Sequence, residues 1–235
     1  MALSPMMKHY LEIKEKYKDA IVFYRLGDFY EMFFEDAIEA SKVLDLTLTG
    51  RDCGLEQRAP MCGIPFHAAD SYISKLISEG YKVAICEQLT EAKAGQMVER
   101  DVVRVITPGT VVDETMLENN KNNYIMALGM FAKNDKENLI KTDVTGIGVA
   151  YCDISTGEFV LEELIGSGDK ILQELNDLIV RILPTEIIVK SNSYSILNSL
   201  PIIKNNLIGY IGKISDDDFE EKDSEENLNN QFGKD

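Results

Sequence analysis

The chain has 235 residues, 45% hydrophobic and 27% charged, which is the balance of a globular protein long enough for two ordinary domains. No apolar run approaches the roughly 18–20 residues of a membrane span, and a net charge of −16 opposes a nucleic-acid partner on the total alone. Residues 1–118 carry 13 basic and 20 acidic side chains and residues 119–235 carry 11 and 20, so local charge decides which surface can approach phosphate.

The first residues lack the apolar core of a signal peptide, which predicts a cytoplasmic protein. A helix is predicted over 5–17: Met6, Tyr10, Ile13 and Tyr17 recur at helical spacing, with Ser4 as cap and Pro5 in the first turn. Residues 20–26 are a continuous apolar run and predict a strand, which Gly27 and Asp28 break. Residues 29–34 resume as a second strand, a hairpin or a bulged, re-aimed strand. A helix over 35–44 and a strand over 46–49 follow. Residues 50–60 are a polar loop with Arg51 and Arg58, and 61–65 are strand or turn. Ala69, Ile73, Leu76 and Ile77 mark one face of a helix over 67–79, which Gly80 stops. Strands are predicted over 81–86 and 100–107, with polar residues 90–97 between them, and strand, helix, strand in this order is an α/β unit.

An asparagine-dense run at 118–123 sets the expected domain boundary, giving domains 1–118 and 119–235. Strands are predicted over 124–131 and 146–154, and Thr156-Gly157 turns the second into a strand over 158–161. Ile171, Leu172, Leu175, Leu178, Ile179 and Ile182 give a strong helix over 169–183, stopped by Pro184, with a strand over 186–189 after it. A meander followed by a crossover opens an RNase H-like sheet. After Ser191 the pattern thins into short helices and an acidic loop around 216–221. The predicted class is α/β: a mixed-sheet domain followed by an RNase H-like one.

Chemistry is sparse. Cys53, Cys62, Cys86 and Cys152 show no CxxC spacing and only His9 and His67 accompany them, so neither a zinc site nor a disulfide framework is expected. Phosphate-loop, dinucleotide, GxSxG and HExxH motifs are absent. Asp153 lies where an RNase H-like nuclease places a metal-binding acid, with Glu158 and Glu186 as possible partners. Against this, Asp153 precedes a Ser-Thr-Gly turn that its side chain would cap. His67 serves as a base, opens a helix whose backbone amides would otherwise be unsatisfied, or faces a phosphate there.

The most aromatic window is Arg25-Leu26-Gly27-Asp28-Phe29-Tyr30-Glu31-Met32-Phe33-Phe34, which sets acids among its rings. Its Gly27-Asp28-Phe29-Tyr30-Glu31 core resembles the Gly-x-Phe-Tyr-Glu motif of the MutS family of DNA mismatch-repair proteins. Further blocks resemble that family in order: residues 10–14, 23–27, 59–68, 83–88 and 98–110, then 153–159 and 230–233. Phe66 and Met32 stand where other aromatic or aliphatic residues are common in the family.

The resemblance implies a mismatch-binding domain followed by a connector without nuclease activity. It implies a fragment of a longer protein, whose ATPase domain, binding ATP and Mg, lies outside this stretch. It also implies mismatched duplex DNA as partner, MutL through the connector, and a homodimer at full length, with the fragment itself expected to be monomeric and free of membrane. No catalysis and no cofactor are expected of the fragment. By the same resemblance Phe29 wedges into the duplex and Glu31 contacts the mispaired base, while Arg51 and Arg100 touch the sugar–phosphate backbone. A surface ion pair is the alternative for each arginine. Wedging reads deformability instead of one base pattern, because unstacking costs less at a damaged step. Strand alternation sends Phe29 and Glu31 to one face and Tyr30 to the other, to pack behind the wedge. Glu31 would penalise binding to sound duplex, Asp28 would add to that penalty, and Gly27 would let the backbone turn where a side chain would clash. An interaction module and a metal nuclease are the alternatives to mismatch binding.

Overall fold

The apolar run after the first helix becomes the middle of a sheet, as a strand buried on both faces must. The structure is a computed structural model that describes residues 3–90, 98–112, 117, 121–132, 139–205, 208–214 and 221–233. Two compact units divide the chain, residues 1–108 and 109–235. The boundary expected at 118–119 lies outside the described residues, as do residues 91–97 and 215–220 of the stretches read as polar loops.

In the first unit α1 (Pro5–Lys16) is capped by Ser4, whose Oγ accepts from the Met7 backbone N–H at 3.4 Å. Its buried face is Met7, Tyr10 and Ile13, so Met7 takes the place expected of Met6, which is half-buried. Then come β1 (Ala20–Leu26), β2 (Phe29–Phe33), α2 (Phe34–Leu44), β3 (Thr49–Arg51), β4 (Ala59–Pro65), α3 (Ala69–Ser78), β5 (Lys82–Gln88) and β6 (Arg100–Ile106). The sheet order is β3-β4-β2-β1-β5-β6, with β1 and β5 parallel and the other neighbours antiparallel. Val22, Tyr24, Phe33, Ala59, Ala84 and Cys86 share a buried cluster with the α1 residues Met7, Tyr10 and Ile13.

One buried carboxylate ties three elements together. Asp36 of α2 accepts from the Tyr10 hydroxyl at 2.8 Å and from the Val22 backbone N–H at 3.0 Å, and pairs with Lys14 Nζ at 2.7 Å. Burial, with Asp36 beside it, raises the Tyr10 pKa well above the usual tyrosine value, so the hydroxyl stays protonated and donates.

The second unit holds β7 (Tyr124–Ala132), β8 (Val144–Asp153), β9 (Glu158–Ile165), α4 (Gly168–Ile182), β10 (Glu186–Lys190), α5 (Tyr194–Leu197), α6 (Pro201–Lys204), β11 (Tyr210–Ile214) and α7 (Glu221–Phe232). Its sheet runs β11-β10-β7-β8-β9. The first three strands in sequence are an antiparallel meander, and β10 and β11 lie parallel to β7 and to each other. This is the RNase H-like arrangement. Alternate β7 and β8 residues (Met126, Leu128, Ile147, Val149) bury against Ile171, Leu175 and Ile179 of α4. No helix among the described residues is long and apolar enough to cross a membrane.

Three expectations shift. The edge strand β3 falls at Thr49–Arg51 and not over 46–49, since Gly50 and Arg51 pair with Pro60 and Ala59 of β4. Phe34 opens α2 with a left-handed φ of 53° instead of extending β2, so the chain turns sharply out of the hairpin. Past Ser191 the chain still supplies the strand β11 and the helix α7.

Candidate nucleic-acid interface

The hairpin between β1 and β2 closes in two residues: Leu26 pairs with Phe29, and Gly27-Asp28 is the whole turn. Gly27 has φ +59°, the left-handed value that a first turn position demands. A Cβ there would meet nothing within 4 Å, so conformation and not space requires glycine, which corrects the clash expected above. So short a turn fixes where β2 begins and leaves Phe29 at the sheet's end.

Phe29 is 48% exposed, whereas Phe23, Tyr24, Tyr30 and Phe33 around it are buried. Alternation along β2 works as expected for Tyr30: its ring packs on Phe23 at 5.8 Å and its hydroxyl donates to Glu87 Oε1. Burial first, and Glu87 second, push the Tyr30 hydroxyl up to about 12. Tyr30 therefore remains a neutral donor that pins β2 to β5.

Glu31 lies in register with Gly63 of β4, where an added Cβ would stand 3.4 Å from Glu31 Cγ. Gly63 clears the space beside this side chain. The Glu31 carboxylate is not free: Oε2 pairs with Arg51 Nη1, the side chains being 15% and 37% exposed. Sheet order makes the pair, since β3 and β2 flank β4. Arg51, expected at phosphate, thus neutralises the expected base contact.

Arg100 opens β6 and reaches across the end of β5. Its Nε donates to the Arg25 carbonyl at 2.9 Å and its Nη1 to the Val98 carbonyl at 3.0 Å, while its guanidinium lies 5.3 Å from the Tyr24 ring centre. Two of its five N–H donors are thereby engaged. His67 is exposed in the short 3₁₀ turn after β4, and the Phe66 N–H of that turn donates to the Asp28 carbonyl at 2.9 Å. Gly27, Asp28, Phe29, His67 and Arg100 therefore gather at one end of the sheet, with Glu31 and Arg51 further along the face that Phe29 shares.

Three contributors went unassigned at the level of sequence: Gly63, Arg25 and Phe66. The last two are joined, with the Arg25 guanidinium 3.6 Å from the Phe66 ring centre. A cation inside an aromatic window, followed by a glycine turn, is the signal that marks Arg25.

In the second unit, Asp153 Oδ1 accepts from the Ser155 N–H at 2.9 Å, the Ser155 hydroxyl at 2.6 Å and the Thr156 N–H at 3.4 Å. Its Oδ2 accepts from the Asn123 N–H at 3.1 Å. Burial pushes its carboxyl up, but these hydrogen bonds together outweigh burial and hold it below the ordinary aspartate value. Oδ1 serves the turn, and Oδ2 ties it to the segment that leads into β7. Glu186 accepts from the Gly109 N–H at 2.9 Å and Glu158 from the Tyr124 hydroxyl at 2.7 Å. Among the described residues no three His, Cys, Asp or Glu converge as a metal cage would need.

Comparison with known proteins agrees along both units. Residues 4–115 match the family model of MutS domain I, and residues 123–235 that of MutS domain II. The DNA mismatch repair protein MutS of Acetivibrio thermocellus is 49% identical over 232 residues, which are 98% of this chain and 25% of that protein. The same-named proteins of Alkaliphilus oremlandii and Clostridium perfringens are 48% and 49% identical over 98% and 100% of this chain. The chain spans about a quarter of the length of these curated relatives. Two domain matches in order, with near-half identity along almost every residue, show that the chain belongs to the MutS family and comprises its domains I and II.

Proposed function

We propose that the first unit recognises mispaired or unpaired bases in duplex DNA by wedging Phe29 from the minor groove, and that the second relays the bound state within a mismatch-repair protein. One observation carries this reading: Phe29 is the exposed aromatic of a strand whose other rings are buried, held at the sheet's end by a two-residue turn. Stacking one ring on a base contributes about 1–3 kcal/mol. Opening the step costs a few kcal/mol in sound duplex and less at a mispair. The sign of the balance therefore changes with the state of the step.

Glu31 supplies the second test. It accepts a hydrogen bond from a displaced base and opposes the phosphates where no such base is offered. Asp28 adds to that opposition, and Arg100 and His67 approach the backbone at the same end. The chain acts by binding, without catalysis or a cofactor of its own. Its full-length context is a cytoplasmic homodimer whose ATPase domain uses ATP and Mg, with MutL engaged through the second unit. A protein-docking role for that unit is supported by Phe159, Leu161 and Ile165, which stand exposed along one side of β9. The metal-nuclease alternative is disfavoured by the full set of hydrogen bonds on Asp153. Titration of the full-length protein against a G·T heteroduplex and its matched control at low salt tests the reading. Tighter binding of the heteroduplex supports it, and equal affinity refutes it.

A further inference from the structure

Arg25 has the charge and the position of a phosphate contact, yet its side chain is only 16% exposed and is committed inside the first unit. Its Nε donates to the Gly27 carbonyl at 2.5 Å. Its guanidinium carbon sits over Phe66, 3.6 Å from the ring centre, and 5.4 Å from the Tyr30 ring centre. Its Nη1 stands 3.8 Å from Glu87 Oε1, the oxygen that also accepts from Tyr30. Phe66, braced by this stack, donates its own backbone N–H to the Asp28 carbonyl at 2.9 Å. Both carbonyls of the Gly27–Asp28 turn are therefore held from outside the turn, one by Arg25 and the other by the residue on which Arg25 stacks.

This matters because a wedge works only if it is stiff. A ring that swings aside when it meets a stacked step imposes no unstacking cost and reads nothing. Preorganisation of the presenting backbone converts stacking into discrimination. A two-residue turn opened by a glycine at φ +59° has no side chain at its first position to stiffen it. The geometry points to Arg25, acting with Phe66, as the positioning residue that locks the Gly27–Asp28 turn and so sets the stiffness of Phe29. This inference rests on the wedge reading above. It assigns Arg25 to the protein's interior chemistry and not to the DNA backbone.

The choice between brace and phosphate contact is open to direct test in the full-length protein, with G·T and matched duplexes titrated over a range of salt. Lysine keeps the charge of arginine but lacks the planar fork that both stacks on a ring and donates sideways to a carbonyl. A brace predicts that Arg25→Lys loses as much mismatch preference as Arg25→Gln, roughly fivefold or more, with the slope of log affinity against log salt unchanged. It also predicts that either change has no further effect on preference once Phe29→Ala is present, because both act through one ring. A phosphate contact predicts that Arg25→Lys restores binding. It also predicts that Arg25→Gln weakens both duplexes alike, with the salt slope falling by about 1 whether or not Phe29 is there. That pattern would overturn the proposal. A fluorescent base analogue beside the mispair gives a second readout: Arg25→Gln should lower its unstacking signal at saturating protein, and an undiminished signal overturns the brace. If Phe29→Ala itself leaves mismatch preference intact, the wedge reading has failed. If Phe29→Ala removes preference while Arg25→Gln does not, only the brace has failed. Circular dichroism on each variant separates both outcomes from unfolding.

Discussion

Replacing Glu31 by alanine tests how the ion pair with Arg51 shapes affinity for sound DNA. The carboxylate and the guanidinium are joined, so the pair presents no net charge. Glu31→Ala leaves a lone guanidinium, already more than a third exposed, beside the expected path of the backbone. The variant differs by one full unit of positive charge at that place. One cation at phosphate distance in a well-solvated site contributes about 1–2 kcal/mol, or roughly 5- to 30-fold in affinity at low salt. One more neutralised phosphate steepens the salt dependence by about 0.9 in log–log slope, an extra loss of about threefold between about 50 and 200 mM salt. Matched duplex should therefore bind more tightly, while the heteroduplex gains less because it loses the acceptor for its displaced base. Discrimination narrows from the matched side. Fluorescence anisotropy on the full-length protein at several salt concentrations measures both quantities, and adding Arg51→Ala should cancel the gain. Unchanged affinity for matched duplex, or a gain with no change of slope, would refute the reasoning.

Asp36→Ala removes the acceptor shared by Tyr10, Val22 and Lys14, and should destabilise the first unit by about 3–5 kcal/mol in urea unfolding. A loss below ~1 kcal/mol would mean that the three donors find other partners. Asp153→Ala should cost the second unit about 1–3 kcal/mol, by orphaning the Ser155 and Asn123 N–H groups, and should alter no magnesium-dependent cleavage of plasmid. Cleavage lost on this substitution would restore the nuclease alternative. Because the folded state lowers the Asp153 pKa from the ordinary 3.8, its contribution is present above that value and disappears as pH falls through the lower one. At alkaline pH the sign reverses. Burial raises Cys62 to about 11 and Cys86, Tyr24 and Tyr30 to about 12, from ordinary values of 9.0 for the thiols and 10.0 for the hydroxyls. Their stabilisation is complete below pH 9.0 and is lost as pH rises toward 12, so the urea midpoint of the first unit should be flat near neutrality and fall steadily through that range.

Long periodic elements were legible in the sequence. Pro5–Lys16 and Gly168–Ile182 carry enough apolar residues at one spacing, and Ala20–Leu26 a long enough apolar run, to declare their type and nearly their ends. The three-residue edge strand was not, because Thr49–Arg51 has no apolar alternation and exists only by pairing with β4. Tyr210–Ile214 was hidden for the same reason, being completed by its parallel neighbour β10. Within the candidate site, local geometry was readable and cross-strand geometry was not. That Tyr30 turns inward while Phe29 turns outward follows from the period of a strand. That Arg51 meets Glu31 follows from the order β3-β4-β2, which no spacing of residues reveals. The Arg25–Phe66 stack likewise depends on β4 ending beside the hairpin turn, where Pro65 pairs with Phe29.

The central claim is that one exposed ring senses the stacking of a base step, and a single comparison tests it most directly. Full-length protein with and without Phe29→Ala is titrated against a G·T heteroduplex and its matched control at one low salt concentration. Loss of a stacking contact of about 1–3 kcal/mol predicts that affinity for the heteroduplex falls roughly 5- to 150-fold, while affinity for matched duplex hardly changes. The ratio between the two should then collapse toward one. A ratio that survives Phe29→Ala unchanged would contradict the account.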